Sequence, residues 1–158
     1  MKHRIRVVGI LCRGEHILLV EQQNPYTGSK RWSLPGGGLE LSDPDVFAGV
    51  EREVLEETGL QVRAGRIRFI SEYANLSSDN PLLSLMVWIE CRPLENEDFG
   101  VPTLANTLPD DYITGVRWWH RSSLPGNTQV SATLQRDDFW AMLETTAGKV
   151  LHLGRRTE

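Results

Sequence analysis

Cysteine is scarce in this chain, and long apolar runs are absent. Among its 158 residues there are two cysteines, Cys12 and Cys91, which form no C-x-x-C pair. Two cysteines are too few for the disulfide framework of a secreted scaffold, so we expect a reduced, intracellular protein. No stretch approaches the roughly 20 apolar residues of a membrane-spanning helix, and the first apolar run is shorter than the roughly 7–15 residues at the centre of a signal peptide. We therefore expect a soluble, cytoplasmic protein with no membrane partner.

An excess of positive charge is also lacking. Lys and Arg total 17 against 21 Asp and Glu, which gives a net charge of −4 at pH 7. A mildly acidic chain lacks the field that holds a long nucleic acid non-specifically, so DNA and RNA are not the expected partners. The charged fraction of 24% and the hydrophobic fraction of 40% are typical of a folded protein, and the length fits one domain over residues 1–158.

Apolar patterning predicts both strands and helices. Two runs rich in Val, Ile and Leu, residues 4–12 and 16–22, flank a short Gly-containing turn and predict a β-hairpin. Further strands are predicted at 61–73, 82–91 and 116–119, and a second helix at 132–146. This mixture predicts an α/β fold with a mixed β-sheet.

The clearest helix is predicted over residues 44–58. Asp43 precedes it as a suitable N-cap, and Gly59 follows it as a left-handed terminator. Gly49 inside the helix costs roughly 1 kcal/mol relative to Ala, which a close approach to another element would explain. The expected buried stripe consists of Phe47, Val50 and Val54.

Three glutamates of this helix, Glu53, Glu56 and Glu57, share one face, since residues three and four apart are neighbours on a helix. Carboxylates this close repel one another, and a hard divalent cation such as Mg²⁺ relieves that repulsion. Arg52 lies four residues before Glu56 and can orient its carboxylate. A solvated helix face has the same pattern, so the glutamates alone do not decide the function.

Together with a glycine-rich turn, these residues resemble the Nudix hydrolase family. Its signature is G-x5-E-x7-R-E-U-x-E-E-x-G-U, where U is aliphatic. Every specified position of the second half is matched, by Arg52, Glu53, Val54, Glu56, Glu57, Gly59 and Leu60. In the first half, residues 35–40 stand where the family has P-G-G-x-x-E. Ser42-Asp43 then replaces the family's G-E pair, and eight residues rather than seven separate Asp43 from Arg52. We expect the extra residue at the junction between loop and helix.

The resemblance implies an α/β/α sandwich and the Mg²⁺-dependent hydrolysis of a pyrophosphate linkage in a nucleoside diphosphate joined to another group, with Mn²⁺ as a substitute metal. It implies that Glu53, Glu56 and Glu57 bind the metal together with the Gly36 carbonyl, and that Arg52 holds the carboxylates. The substrate-binding candidates are Arg31, Trp32, Gly37, Gly38 and Asp111. The general base is one of the glutamates or a later acid: Glu97, Asp98, Asp110 or Asp111.

The substrate and one alternative function stay open. Markers of the ADP-ribose, diadenosine polyphosphate and NADH subfamilies are missing after Leu60, which favours a nucleoside triphosphate or a nucleotide sugar. The alternative is a Nudix-fold module that binds or senses nucleotides without cutting them, and the Ser42-Asp43 departure favours it. An isomerase of the isopentenyl diphosphate type shares the fold, but no cysteine lies beside the motif. Homodimers are common among relatives, and the sequence identifies no interface.

Overall fold

The computed structural model describes residues 2–76, 80–95, 98–104, 112–126, 129–145 and 148–157. In chain order these contain β1 (Lys2–Ile10), β2 (Cys12–Arg13), β3 (His16–Gln23), β4 (Lys30–Ser33), β5 (Gly36–Gly38), α1 (Val46–Thr58), β6 (Val62–Asn75), β7 (Leu82–Pro93), β8 (Ile113–His120), α2 (Asp137–Glu144) and β9 (Leu151–Thr157). Within these ranges, neither helix has the length and apolar character needed to cross a membrane.

The strands form two sheets. The larger has the order β5-β1-β7-β6-β9, with β1 parallel to β7, β6 parallel to β9 and the other pairs antiparallel. In the smaller sheet, β3 pairs antiparallel with β2, β4 and β8. The mixed sheet predicted from the sequence is confirmed, and the second sheet was not anticipated.

Two apolar layers lie on opposite sides of the larger sheet. Because side chains alternate along a strand, Val7 of β1 packs in the layer of Val50 and Val54, whereas Val8 packs in the layer of Phe139. The first layer contains α1 and the second contains α2. This is the α/β/α sandwich expected from the sequence.

The start of α1 differs from the prediction. The helix begins at Val46, and its N-cap is Asp45, whose side chain accepts hydrogen bonds from Phe47 N and Ala48 N at 2.9 and 2.8 Å. Phe47, predicted to be buried, is 38% exposed. Two other predictions for this helix are confirmed, namely its end at Gly59 and a close approach of another part of the chain at Gly49. Gly59 terminates the helix at φ 69°, and a Cβ on Gly49 would lie 2.8 Å from Leu39 Cδ1.

Two other predicted elements are divided in the structure. In the proposed hairpin, only Cys12–Arg13 pairs back onto β3, because β1 runs between β5 and β7 in the larger sheet. The helix predicted at 132–146 is a 3₁₀ turn, Ala132–Gln135, followed by α2. Arg136 separates them, since its extended backbone (φ −77°, ψ 126°) interrupts the helical hydrogen bonds.

Candidate active site

The glycine-rich segment is a strand, not the turn expected from the sequence. β5 pairs antiparallel with Arg6–Val8 of β1, so its backbone is held along the edge of the larger sheet. A Cβ on Gly37 would lie 2.4 Å from Glu53 Oε1, and a Cβ on Gly36 would lie 2.2 Å from the Val7 carbonyl oxygen. Gly36 also has φ 151°. Only glycine allows α1 to approach the strand this closely.

The carboxylates of α1 lie against this strand. Glu53 is 8% exposed and Glu57 is 6% exposed, which is unusual for glutamate. The Gly36 N–H donates a 2.8 Å hydrogen bond to Glu57 Oε2. Glu56 lies nearer the solvent, with 27% of its side chain exposed. The backbone of β5 therefore positions one of the three predicted carboxylates directly.

Arg52 connects the other two carboxylates to the loop before the helix. Its Nη1 donates to Glu53 Oε1 at 3.1 Å and to Glu56 Oε2 at 3.0 Å. Its Nε and Nη2 each donate to Asp43 at 2.9 Å, and Nη2 also donates to the Gly38 carbonyl at 3.1 Å. The hydrogen bonds that Arg52 donates to the Asp43 carboxylate raise the pKa of Arg52 above its ordinary value. The predicted contact between Arg52 and Glu56 is confirmed.

Asp43 belongs to this cluster and does not cap the helix. Its carboxylate takes the bidentate contact from Arg52 and accepts a 2.8 Å hydrogen bond from Glu40 N. The hydrogen bonds from Arg52 hold the pKa of Asp43 below its usual range. Asp45 takes the capping position instead, at the junction between loop and helix where the extra residue relative to the family signature is expected. Although Ser42-Asp43 differs from the family signature, Asp43 still anchors Arg52 through this bidentate contact.

Arg6 of β1 is a site residue that the sequence analysis missed. Its Nη2 donates to the Gly36 carbonyl at 3.3 Å. Burial and the neighbouring Arg4 lower the pKa of Arg6, while Glu57 and Glu53 act in the opposite direction. No local pattern marks Arg6, because its place beside Gly36 depends on the pairing of β1 with β5.

A cleft of about 300 Å³ adjoins Gly36 and Arg6. Arg31, a predicted substrate-binding residue, lines this cleft. Trp32 does not line it. Its ring packs edge-on against Trp119 at 5.2 Å and belongs to the apolar layer of α2.

Of the later acids named as candidate general bases, Asp98 is the one that the described part of the chain contains. Asp98 is exposed, and it accepts a 2.7 Å hydrogen bond from Arg13, outside the cleft that Gly36 lines. Glu97, Asp110 and Asp111 lie outside the described residues.

Comparison with known proteins agrees with the fold and the motif. An ADP-ribose pyrophosphatase of Streptococcus suis superposes with a TM-score of 0.63 at 22% identity, over 94% of this chain and 98% of that one. A MutT NUDIX hydrolase of Burkholderia pseudomallei gives 0.62 at 20% identity, over 92% and 100%. A MutT-like protein of Streptomyces ambofaciens is 38% identical over 65 residues, which are 41% of this chain and 40% of that protein. A family model described as the NUDIX domain matches residues 2–137, and the chain therefore belongs to the Nudix hydrolase family.

Proposed function

We propose that this protein, as a single domain over residues 1–158, hydrolyses the pyrophosphate linkage of a small nucleotide in a Mg²⁺-dependent reaction, with Mn²⁺ as a substitute. The observation that carries the proposal is the packing of α1 against β5. Glu57 is bonded to the backbone of Gly36, and Arg52 joins Glu53 and Glu56 beside it. Family membership supports the same reaction type.

The donor set fits a hard divalent cation. Three carboxylates and the Gly36 carbonyl offer oxygen atoms alone, which are the ligands that Mg²⁺ prefers. In the structure Arg52 holds Glu53 and Glu56 and the Gly36 N–H holds Glu57, and among the described residues no three Asp, Glu, His or Cys side chains are already arranged around one point as metal ligands. Glu53, Glu56 and Glu57 with the Gly36 carbonyl would hold the ion. Bound there, it would offset charge on the diphosphate and lower the pKa of a bound water.

The other residues of the site have distinct tasks. The Gly36 N–H keeps the Glu57 carboxylate oriented, and Arg52 offsets the negative charge of Glu53 and Glu56. Arg6 and Arg31 line the adjoining cleft and place positive charge where the substrate phosphates approach. One of the α1 glutamates, or an acid of a later loop, accepts the proton of the attacking water.

The alternative, a module that binds nucleotides without hydrolysing them, loses its supporting feature. That feature was the altered Ser42-Asp43 pair. Asp43 nevertheless makes the bidentate contact to Arg52, and all three glutamates are present. Catalysis is therefore the function that the geometry favours.

The test is a phosphate-release screen of the purified protein. Nucleoside triphosphates, nucleotide sugars, ADP-ribose and dinucleoside polyphosphates are each assayed with Mg²⁺, with Mn²⁺ and with EDTA. We expect metal-dependent turnover of one class, and a loss of about a hundred-fold or more in kcat for Glu57→Gln, because the variant removes a charged oxygen ligand.

Glu51→Gln is the matched control, since it changes a carboxylate of the same helix outside the cluster. Glu51 Oε1 accepts a 2.8 Å hydrogen bond from Ala64 N, which a glutamine carbonyl can also accept. This variant should keep its activity. If the wild type turns over none of these substrates while nucleotides still raise its melting temperature, the binding-module alternative replaces the proposal.

A further inference from the structure

Ser84 of β7 carries a buried hydroxyl group that lines the cleft beside the carboxylate site. It is 1% exposed, and its Oγ has no hydrogen-bond partner among the described residues. Ser84 lines the same cleft as Gly36 and Arg6. An unpaired buried polar group is costly, and most such groups in native proteins are satisfied. A polar atom of a ligand in the cleft would satisfy this one.

Ser71 of β6 shows what a structural serine does in the same wall. It is 7% exposed, and its Oγ accepts a 3.0 Å hydrogen bond from Trp88 Nε1. That hydroxyl already has a partner within the fold, so its burial needs no ligand atom to satisfy it. Ser84 differs from Ser71 because no described group hydrogen-bonds its hydroxyl.

The cleft around Ser84 combines an apolar floor with a basic rim. Val8, Met86, Trp88, Leu134 and Leu153 supply its apolar lining. Arg6, Arg31 and Arg156 also line it, against one acid, Glu72, which is paired with His152 at 3.1 Å. The ring of a nucleobase can pack on the apolar surface, and the arginines can donate charge-assisted hydrogen bonds to phosphates.

Sheet register places Ser84 away from the carboxylates of α1. Ser84 pairs with Arg4 on β1, whereas Gly36, whose N–H bonds Glu57, pairs with Val8. The two positions are thus four residues apart along the strands and two strands apart across the sheet, a separation of about 16 Å. For a nucleotide whose phosphates lie beside β5, the group that reaches Ser84 is therefore the nucleoside.

We propose that the cleft holds the nucleoside part of the substrate and that the Ser84 hydroxyl hydrogen-bonds a polar atom of the nucleobase, which makes Ser84 a specificity-determining residue. The proposal rests on the proposed function, because the phosphates are oriented by the α1 site. The α1 carboxylates act on the phosphate end and cannot distinguish one base from another, whereas Ser84 would contact the base.

Calorimetric titration with AMP, GMP, CMP and UMP in EDTA tests this proposal without hydrolysis. We expect the wild type to bind one base more tightly than the others. In Ser84→Ala, affinity for that monophosphate should fall about five- to ten-fold, and the preference among bases should shrink by the same factor. The melting temperature of the unliganded variant should stay equal or rise, because the removed hydroxyl has no hydrogen-bond partner among the residues that the structure describes.

Two further variants complete the test. Ser84→Cys keeps the size of the side chain but hydrogen-bonds weakly, so it should resemble Ser84→Ala. Ser123→Ala changes an exposed serine outside the cleft and should bind like the wild type. The proposal is overturned if the wild type binds no monophosphate, binds all four equally, or keeps its preference in both Ser84 variants.

The outcomes also separate this proposal from the proposed function. Base-dependent binding that is lost in Ser84→Ala supports the role of Ser84 even if the screen finds no turnover. Metal-dependent turnover with an unchanged base preference in Ser84→Ala overturns the role of Ser84 alone.

Discussion

Arg52 balances the charge of the cluster between the loop and α1. Its guanidinium donates to Asp43, Glu53, Glu56 and the Gly38 carbonyl at 2.9–3.1 Å. A lysine could not make these contacts, because its single ammonium group lacks the planar fork of donors. The arginine therefore does more than orient one glutamate. It joins the strand, the loop and the helix that form the site.

The Asp43–Arg52 pair should make stability depend on pH. Because hydrogen bonds from Arg52 lower the pKa of Asp43, the pair stabilises the folded state above the unfolded pKa of roughly 4, and this contribution is lost as pH falls through the lowered pKa. We expect Asp43→Asn to lower the free energy of unfolding at pH 7 by about 1.5–3 kcal/mol. Urea denaturation at pH 7, 5 and 3 should show the difference from wild type shrinking at the acidic end.

Asp98→Asn is the control for this effect, since it removes a carboxylate from an exposed pair with Arg13. The two side chains are 47% and 68% exposed, so we expect a loss below about 1 kcal/mol. A deficit in Asp43→Asn as large at pH 3 as at pH 7 would contradict the electrostatic explanation.

At the scale of the element, the position of α1 depends on two aspartates with different tasks. Asp45 satisfies N–H groups of the first turn, while Asp43 is held by Arg52. At the other end, Gly59 adopts φ 69°, and its N–H bonds the Leu55 carbonyl. The helix therefore begins and ends at defined residues, and this fixes the position of its glutamates beside β5.

Loss of the N-cap should weaken α1 without removing a charge from the cluster. We expect Asp45→Ala to lower the free energy of unfolding by about 1 kcal/mol, since two N–H groups lose their acceptor. Thermal denaturation measures the change. Asp45→Asn keeps a good capping oxygen and should stay close to wild type, so an equal loss in both variants would argue against capping as the cause.

At the scale of the whole molecule, the α2 side of the larger sheet contains both a buried aromatic cluster and part of the cleft proposed to bind the nucleoside. Phe139 of α2 is fully buried, with its ring 5.5 Å from that of Phe69 and 6.2 Å from that of Trp88. Trp88 also lines the cleft that contains Ser84. Packing between α2 and the sheet thus supports the floor of the proposed nucleoside site.

Truncation of Phe139 should be the most destabilising of these changes. We expect Phe139→Ala to lower the free energy of unfolding by about 3–5 kcal/mol, because it leaves a cavity between α2 and the sheet. Phe47→Ala is the matched control, since Phe47 is 38% exposed and should cost much less. Urea denaturation of the two variants compares them, and similar losses would show that α2 does not anchor this layer.

Sequence patterns predicted the parts of the site that depend on local geometry. Glu53, Glu56 and Glu57 share a face because helical periodicity requires it, and the Arg52–Glu56 contact follows from the same spacing. The N-cap prediction was wrong for a tertiary reason. Asp43 is a good capping residue by type, but its carboxylate instead accepts two hydrogen bonds from the guanidinium of Arg52.

The sequence by itself determined the family, the mixed sheet and the carboxylate face of α1, because these depend on residue type and short spacing. Only the tertiary structure decided that the glycines form a strand beside β1, that Arg6 contacts Gly36 and that Ser84 enters the cleft. These arrangements join residues about 30 to 80 positions apart. They are set by the register of backbone hydrogen bonds between strands, which no local pattern specifies.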